Sequence, residues 1–491
     1  MNEPRVPTQT PPRRRKRPPQ WRHINFPTRG ISRLHPAPPR PVRQQARDVW
    51  DRVRLLIRSA TLWLLFSAVL LYHRWYITAA IAFAVSFTFV VFRPYIREVR
   101  MHADEDFGTD SAEFLSTVAG ATGVPMIGGN RLEILNNGEE FYPAMLAAIS
   151  GAKYSITMEQ YIFSASEIGR QFAEAFAKRS LDGVTVKLLL DAVGAANIGS
   201  EILRTLTGAG CEIRWYRPIR WYDLHRVNHR NHRKSLIIDG RIAFTGGAGI
   251  DDHWRGAARN PSEWRDLQIR MEGPGVVPLQ TGFASNWLEA TGEVVTGPEY
   301  YPVPEPVGPV ELQTVLSSPK GDQYTASILY ALGIQSARQC IYIANPYFVP
   351  GPLAAGRIED AVRRGVDVKV MVAGVHNDAW WARQNSVRLY GRLLEAGVEI
   401  YEYLPTMLHQ KMMLVDSIWA TVGTTNFDNR SFRFNEETNV CFHEPEYVDQ
   451  LRTIFFKDLE DCRRVDLAEW RGRGVHVRAG ELFASLLQDQ V

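Results

Sequence analysis

Three regimes of polar and apolar positions follow one another along the chain. Residues 1–50 show neither helical nor strand periodicity and are rich in Pro and Arg, including the run Pro11-Pro12-Arg13-Arg14-Arg15-Lys16-Arg17-Pro18-Pro19. Such a segment cannot bury enough apolar surface to offset its ordering entropy, which predicts a disordered tail. It lacks the short apolar core and small-residue cleavage site of a secretory signal. Residues 51–100 hold two apolar stretches: Leu55–Tyr72, broken only by Arg58, and Trp75–Phe92, which carries no charge. Each has 18 residues, close to the roughly 20 needed to cross a hydrocarbon core. With His73-Arg74 as the break and Tyr72, Trp75 and Tyr76 as interfacial aromatics, they predict a transmembrane helical hairpin.

From Met101 onward the pattern turns to alternating strands and helices. Tyr154–Phe163 reads as a buried strand, Ile168–Lys178 as a helix, Val184–Asp191 as a second strand, and Leu203–Ala209 leads through Gly210 into a strand at Glu212–Tyr216. This alternation predicts βαβ units in an α/β fold with a largely parallel sheet. The order then recurs. Cys340–Phe348 echoes Tyr154–Phe163, Gly365–Val372 echoes Gly183–Leu190, and Ala396–Ile400 echoes Ala209–Ile213. An internal duplication is therefore visible in the sequence itself. The Pro-rich stretch Gly297–Pro309 reads as the linker, dividing residues 101–300 from residues 301–491.

Charge changes the picture in one respect. Of 57 basic and 53 acidic residues, 19 and 4 fall in the first 100 positions, leaving 38 and 49 from Met101 onward. The basicity belongs to the tail, and beside a membrane segment it suits anionic lipid better than nucleic acid. The duplicated part lacks the net positive field expected of a nucleic-acid enzyme. Cys211, Cys340, Cys441 and Cys462 match no zinc-like spacing and read as reduced, buried thiols.

At matching places in the two copies stand His232-Arg-Lys234-Ser-Leu-Ile-Ile-Asp239 and His409-Gln-Lys411-Met-Met-Leu-Val-Asp416. Alternation along a strand puts each His and Lys on one face, pointing at one ligand. Phosphodiester chemistry uses that pair: an imidazole attacks phosphorus or protonates the leaving oxygen, and an ammonium neutralises the non-bridging oxygens. Read alone, His225, His229 and His232 also have metal-ligand spacing, but the second copy lacks matching histidines and the double motif needs no metal. Asp251, Asp252 and His253 read as a polar loop, and the interleaved Arg214–Tyr222 segment suits lipid headgroups or stacked bases.

The second copy continues with Gly423-Thr-Thr-Asn426-Phe-Asp428 and Asn435-Glu-Glu437, the first with Thr245-Gly-Gly-Ala-Gly249-Ile and Trp264-Arg-Asp266. Over about residues 130–480 the chain resembles the phospholipase D superfamily, and most of all bacterial cardiolipin synthases. The resemblance implies two tandem phospholipase D-like domains forming a pseudo-two-fold pair around one active site. It implies a phosphatidyl-histidine intermediate on one motif histidine, with the other as acid and base. Lys234, Lys411 and Asn426 would hold phosphate oxygens. Glu437, taken to serve His409 in its own half, and Asp266, its counterpart, would orient the imidazoles. Asp239 and Asp416, the last residues of the catalytic motifs, would be structural partners within the site. Gly249 departs from the pattern, standing where symmetry calls for a second Asn.

The resemblance further implies a phosphatidyltransferase needing no cofactor or metal and no obligate protein partner, acting on phospholipids such as phosphatidylglycerol and not on nucleic acid. A phospholipase D hydrolase and a membrane-tethered nucleic-acid phosphodiesterase are the alternatives. Basic residues flank both ends of the hairpin, from the tail through Arg58 and at Arg93, Arg97 and Arg100. The positive-inside rule then predicts an enzyme of the bacterial inner membrane with its catalytic part on the cytoplasmic side.

Overall fold

The computed structural model describes residues 107–219, 228–319 and 324–485, with scattered positions between 67 and 83. The chain divides into two units, Met1–Pro94 and Tyr95–Val491. The predicted tail and most of the predicted hairpin lie outside the described residues. In the first unit, the described positions 67–69, 71, 76–80 and 83 are helical. Trp75, Tyr76, Ile77 and Phe83 are exposed. Among the described residues no helix is long and apolar enough to cross a membrane.

In the second unit the first copy forms β1 (Ile127–Asn136), β2 (Ser155–Gln160), β3 (Thr185–Asp191), β4 (Glu212–Tyr216), β5 (Ser235–Ile238), β6 (Ile242–Gly246) and β7 (Leu267–Glu272). The second forms β8 (Val310–Ser317), β9 (Cys340–Ala344), β10 (Asp367–Ala373), β11 (Glu399–Tyr403), β12 (Met412–Val415), β13 (Trp419–Gly423), β14 (Glu437–Phe442) and the added edge β15 (Cys462–Arg464). All join one sheet in the order β15-β11-β10-β9-β12-β13-β14-β8-β1-β7-β6-β5-β2-β3-β4. Read outward from the antiparallel β1–β8 seam, both halves follow the same path. The duplication in sequence is thus a pseudo-two-fold pair in space. Asn130 pins the seam, its amide donating to the Ile127 and Val310 carbonyls and its Oδ1 accepting the Gly275 N–H at 2.6 Å.

The sheet is not largely parallel, as the alternation predicted. Only the β2–β3–β4 and β9–β10–β11 pairings are parallel; the other ten are antiparallel. The reason is connection length. Helices Glu167–Leu181 and Ser200–Gly208, and in the second half Pro352–Arg363 and Trp380–Ala396, are crossovers that return the chain to the same end of the sheet. The motif strands β5–β6 and β12–β13 have no such helix and fold back through tight turns. The helical crossovers start where their sequence dictates: Ser166 accepts the Gly169 N–H at 3.1 Å, and Pro352 opens the helix that follows Gly351. Strands β2, β9, β12 and β14 are buried throughout, which lets the center of the sheet carry polar chemistry away from bulk water.

Candidate active site

In each motif the His and Lys lie just before the strand, β5 or β12, and not on it as the alternation predicted, and the strand then ends in a tight turn. The turns are made by Asp239 and Asp416, both in the left-handed region at φ 53° and 54°. A strand rises about 3.3 Å per residue, so each Asp stands roughly 16 Å along the chain from its Lys. Asp239 accepts N–H groups of Lys153, Tyr154 and Ser155, the last two at 2.7 and 2.9 Å. Asp416 accepts those of Arg338, Gln339 and Cys340 and the Thr109 hydroxyl, the last at 2.8 Å. These carboxylates are not within the site, as the motif suggested. They fasten the far end of each motif strand to the start of β2 or β9.

The near ends meet across the halves. His232 N–H donates to the Glu436 carbonyl at 3.0 Å and His409 N–H to the Arg265 carbonyl at 2.7 Å, so each motif lies beside the residues that precede the other half's carboxylate. Consequently Glu437 does not serve His409. Both its oxygens lie 3.0 Å from His232 Nδ1, while Asp266 Oδ2 lies 2.8 Å from His409 Nδ1. Sequence proximity had suggested pairing within a half; the strand exchange at the symmetry axis crosses it.

Both imidazoles border one cleft with about 220 Å³ of free volume. Its walls include Lys234, Asn426, Tyr161, Arg230, Tyr347, Asp378, Trp381, Asp428, Arg430 and Asn435. The Lys411 ammonium lies 3.1 Å from both ring nitrogens of His409, and the Lys234 ammonium donates to the His232 carbonyl at 3.0 Å. Asn426 lines this cleft, and among the described residues its Oδ1 has no hydrogen-bond partner. Burial dominates the electrostatics. It pulls the Lys234 and Lys411 ammoniums down to about 7 and about 8 and the His232 imidazole to about 4, and it holds His409 well below its ordinary value. Burial also raises Asp266 to about 6 and Asp428 to about 7. For Glu437, burial is outweighed by His232 and Lys234, and its carboxyl stays below the usual range. The cleft walls carry Lys234, Arg230 and Arg430 beside Asp378 and Asp428, and an anion bound next to the lysines would restore the charge that burial weakens.

Of the nine residues singled out in the sequence, seven converge here: His232, Lys234, His409 and Asn426 around the cleft, with Lys411, Glu437 and Asp266 against the histidines. Sequence reasoning missed the supports. Thr424 and Asn435 donate to Glu437, and the Trp254 indole donates to Asp266 at 2.9 Å. Trp254 and Trp264 pack on His409 at ring separations of 5.2 and 5.4 Å, and Tyr161 packs on His232 at 5.3 Å. Asp428, Asn435 and Trp264 stood in the quoted motif stretches, but spacing assigned them nothing. Gly249 is explained by Trp254: a Cβ there would lie 2.8 Å from the indole ring and 3.0 Å from Ile162 Cβ. The first half has traded an Asn for space around the tryptophan that holds Asp266.

The other sequence candidates take structural places. Asp252 accepts the Glu167 and Ile168 N–H groups at the start of a helix, and His253 stacks on Trp264. His229 stacks on Phe434, whereas His225, Trp221 and Tyr222 lie outside the described residues. Cys211, Cys340 and Cys441 are buried and Cys462 is half-buried, all as free thiols.

A family model described as "Cardiolipin synthase, PLD-like domain" matches residues 145–257 and 332–459, one match per half. The chain is 35% identical over 356 residues to cardiolipin synthase 2 of Bacillus anthracis, covering 72% of this chain and 69% of that one. It is 31% identical over 343 residues to cardiolipin synthase A of Pseudomonas putida (strain W619), covering 70% and 71%. The crystal structure of phosphatidylserine synthase from Haemophilus influenzae Rd KW20 shares the fold, with TM-score 0.62 at 13% identity, covering 77% of this chain and all of that one.

Proposed function

The chain belongs to the cardiolipin synthase family with phospholipase D-like domains, and from that premise we propose that it transfers a phosphatidyl group between two phospholipids. The observation that carries this reading is the crossed pairing of each motif histidine with a carboxylate of the opposite half, which aims both imidazoles at one anion-receiving cleft.

The residue roles follow from the supports. Glu437 stays ionised and touches His232 Nδ1 with both oxygens, so it stabilises the positive charge that develops when Nε2 attacks phosphorus. His232 is the nucleophile. The P–O bond to the leaving glycerol breaks, and His409, which takes up a proton from solvent once the anionic phosphodiester is bound beside it, delivers that proton to the leaving oxygen, giving phosphatidyl-His232 and free glycerol. Lys234, Lys411 and Asn426 hold the non-bridging oxygens. A hydroxyl of the second lipid's glycerol then gives its proton to His409 and attacks phosphorus. The P–N bond breaks, and the product is cardiolipin with His232 neutral again. Two phosphatidylglycerols become one cardiolipin and one glycerol, and the donor's phosphodiester energy is kept in the intermediate. No nucleotide is required by this balance.

Residues 101–300 and 301–491 act as two domains sharing this site, and Asp239 and Asp416 serve their stability. The basic tail and both ends of the hairpin at residues 51–100 lie on the cytoplasmic side of a bacterial inner membrane. A reporter fused after Arg100 that is active only outside the cytoplasm would reverse that topology. The function is tested by incubating purified enzyme with phosphatidylglycerol and identifying products by mass spectrometry. Cardiolipin and glycerol in equal amounts are expected. Mainly phosphatidic acid would make it a hydrolase, and degraded DNA or RNA with lipid untouched would make it a nuclease.

A further inference from the structure

The loop after β10 and the helix Trp380–Ala396 bring a second feature to the mouth of the cleft. Trp381 lines the cleft and is still 50% exposed; Trp380 beside it is 49% exposed, and Val375, five residues before Trp380 in the loop, is exposed as well. Helix Val475–Ala484 packs on this helix. A Cβ on Gly480 would stand 3.4 Å from the Trp380 ring, and the buried Asn385 amide donates both to the Trp381 carbonyl at 3.1 Å and to the Ala484 carbonyl at 3.0 Å.

The outer side of helix Val475–Ala484 reverses the usual pattern. Val475, Ala479, Leu482 and Phe483 share one helical face at i, i+4, i+7 and i+8, and all are exposed, Leu482 and Phe483 at 62% each. The helix's one carboxylate, Glu481, is turned inward and paired with Arg473 at 2.7 Å. The exposed polar residues of the helix are His476 and Arg478. An exposed aromatic and aliphatic surface flanked by His476 and the Arg478 guanidinium and free of outward carboxylates marks an interaction site. A protein covering Trp381 would also cap the cleft, whereas a bilayer surface would not: it supplies the substrate through that same mouth.

We propose that Trp380, Trp381 and the outer face of helix Val475–Ala484 dock this protein on the surface of a phospholipid bilayer, seating the mouth of the cleft on the headgroups. Tryptophan suits the headgroup level, and His476 and Arg478 face an anionic leaflet. The inference rests on the phosphatidyltransferase reading, since only a lipid substrate has to be met at its surface.

Two readouts on the full-length protein separate the ideas. In the first, an environment-sensitive fluorophore is attached at Phe483→Cys, in a Cys462→Ser background, in vesicles of three parts phosphatidylcholine to one part phosphatidylglycerol. Quenching by brominated acyl chains with shielding from aqueous iodide is expected, and full access of iodide would overturn the proposal. In the second, the variant Trp380→Ser/Leu482→Ser/Phe483→Ser is assayed in mixed detergent micelles. Loss of apolar insertion should raise the apparent KM for the mole fraction of phosphatidylglycerol about tenfold. Turnover of water-soluble dibutyroyl phosphatidylglycerol should be unchanged. An unchanged micellar KM, an equal loss on both substrates, or iodide shielding that arises from self-association without lipid would each overturn it. If wild type turns over neither substrate, the function reading fails while the fluorophore still decides the docking.

Discussion

The two halves follow the same path through the sheet yet support their histidines differently. His232 faces a carboxylate held by a hydroxyl and an amide, Thr424 and Asn435, and that carboxylate stays ionised. His409 faces a carboxylate held by an indole, packed under Trp254 and Trp264, and burial lifts that carboxylate to about 6. Duplication set the positions, and divergence of the surrounding shell set the chemistry. Beside His232, burial raises the Glu437 carboxyl, but the charges of His232 and Lys234 and the Thr424 hydroxyl keep it below the usual range. Burial raises the Asp266 carboxyl and outweighs the downward pull of the indole N–H.

The strongest way to break this comparison is to remove each histidine. His232→Ala and His409→Ala should each lower kcat by about four orders of magnitude or more, because residues that act as a unit do not add. They should differ in what remains. A phosphodiester with a very good leaving group needs little acid, so His409→Ala should still form a covalent adduct and His232→Ala should not. Peptide mapping that finds the adduct on residue 409 would reverse the roles.

The next effect concerns the crossed carboxylates. Glu437→Gln and Asp266→Asn keep size while losing charge, and each should cost about a hundredfold or more in kcat. Pre-steady-state trapping should show that Glu437→Gln slows formation of the adduct. A better leaving group should rescue Asp266→Asn but not Glu437→Gln. Identical behaviour of the two variants would mean that the halves are chemically equivalent.

How much of this was legible in the sequence depended on distance along the chain. The duplication and the motif pairs could be read because each recurs along the chain, and Asn426 because it stands in the stretch after the second motif that carries the resemblance. The mixed sheet could not, because the antiparallel hairpins after the motifs are too short to show a period. The partner of each histidine was hidden for a different reason. Glu437 lies closer in sequence to His409, and only the backbone exchange of His232 with Glu436 sends it elsewhere. Trp254 was hidden too, although Gly249 pointed to it: a missing side chain in one copy marked where a larger one from elsewhere had moved in.

A smaller effect sharpens the comparison through pH. Burial holds the Lys234 and Lys411 ammoniums at about 7 and about 8, and the negative charge of a phosphodiester bound beside them would raise both. Binding therefore takes up protons once the pH exceeds the free values, so affinity is full below about pH 7 and falls as the pH rises through 7 to 8. A titration of kcat/KM should show this fall. In Lys234→Met the remaining break should move toward the higher value, and a profile flat from pH 6 to 9 would contradict the assignment.

The smallest effect belongs to the motif aspartates. Asp239→Asn and Asp416→Asn should each cost about 1–3 kcal/mol of stability, by weakening charge-assisted bonds to backbone donors. The kcat of the folded fraction should change little. Denaturant midpoints measured beside active-site-titrated rates would check this, and a thousandfold fall in kcat without loss of stability would return these residues to the site.

The crossed carboxylates also impose a timetable on biosynthesis. His232 depends on a residue made 205 positions later. Ribosomes add about 5–20 residues per second, so that gap lasts on the order of 10–40 s. Throughout it, His232 exists without the carboxylate that contacts its Nδ1 in the folded protein. Both crossed pairs form only when the second half closes onto the first, so the two histidines acquire their carboxylates in one event.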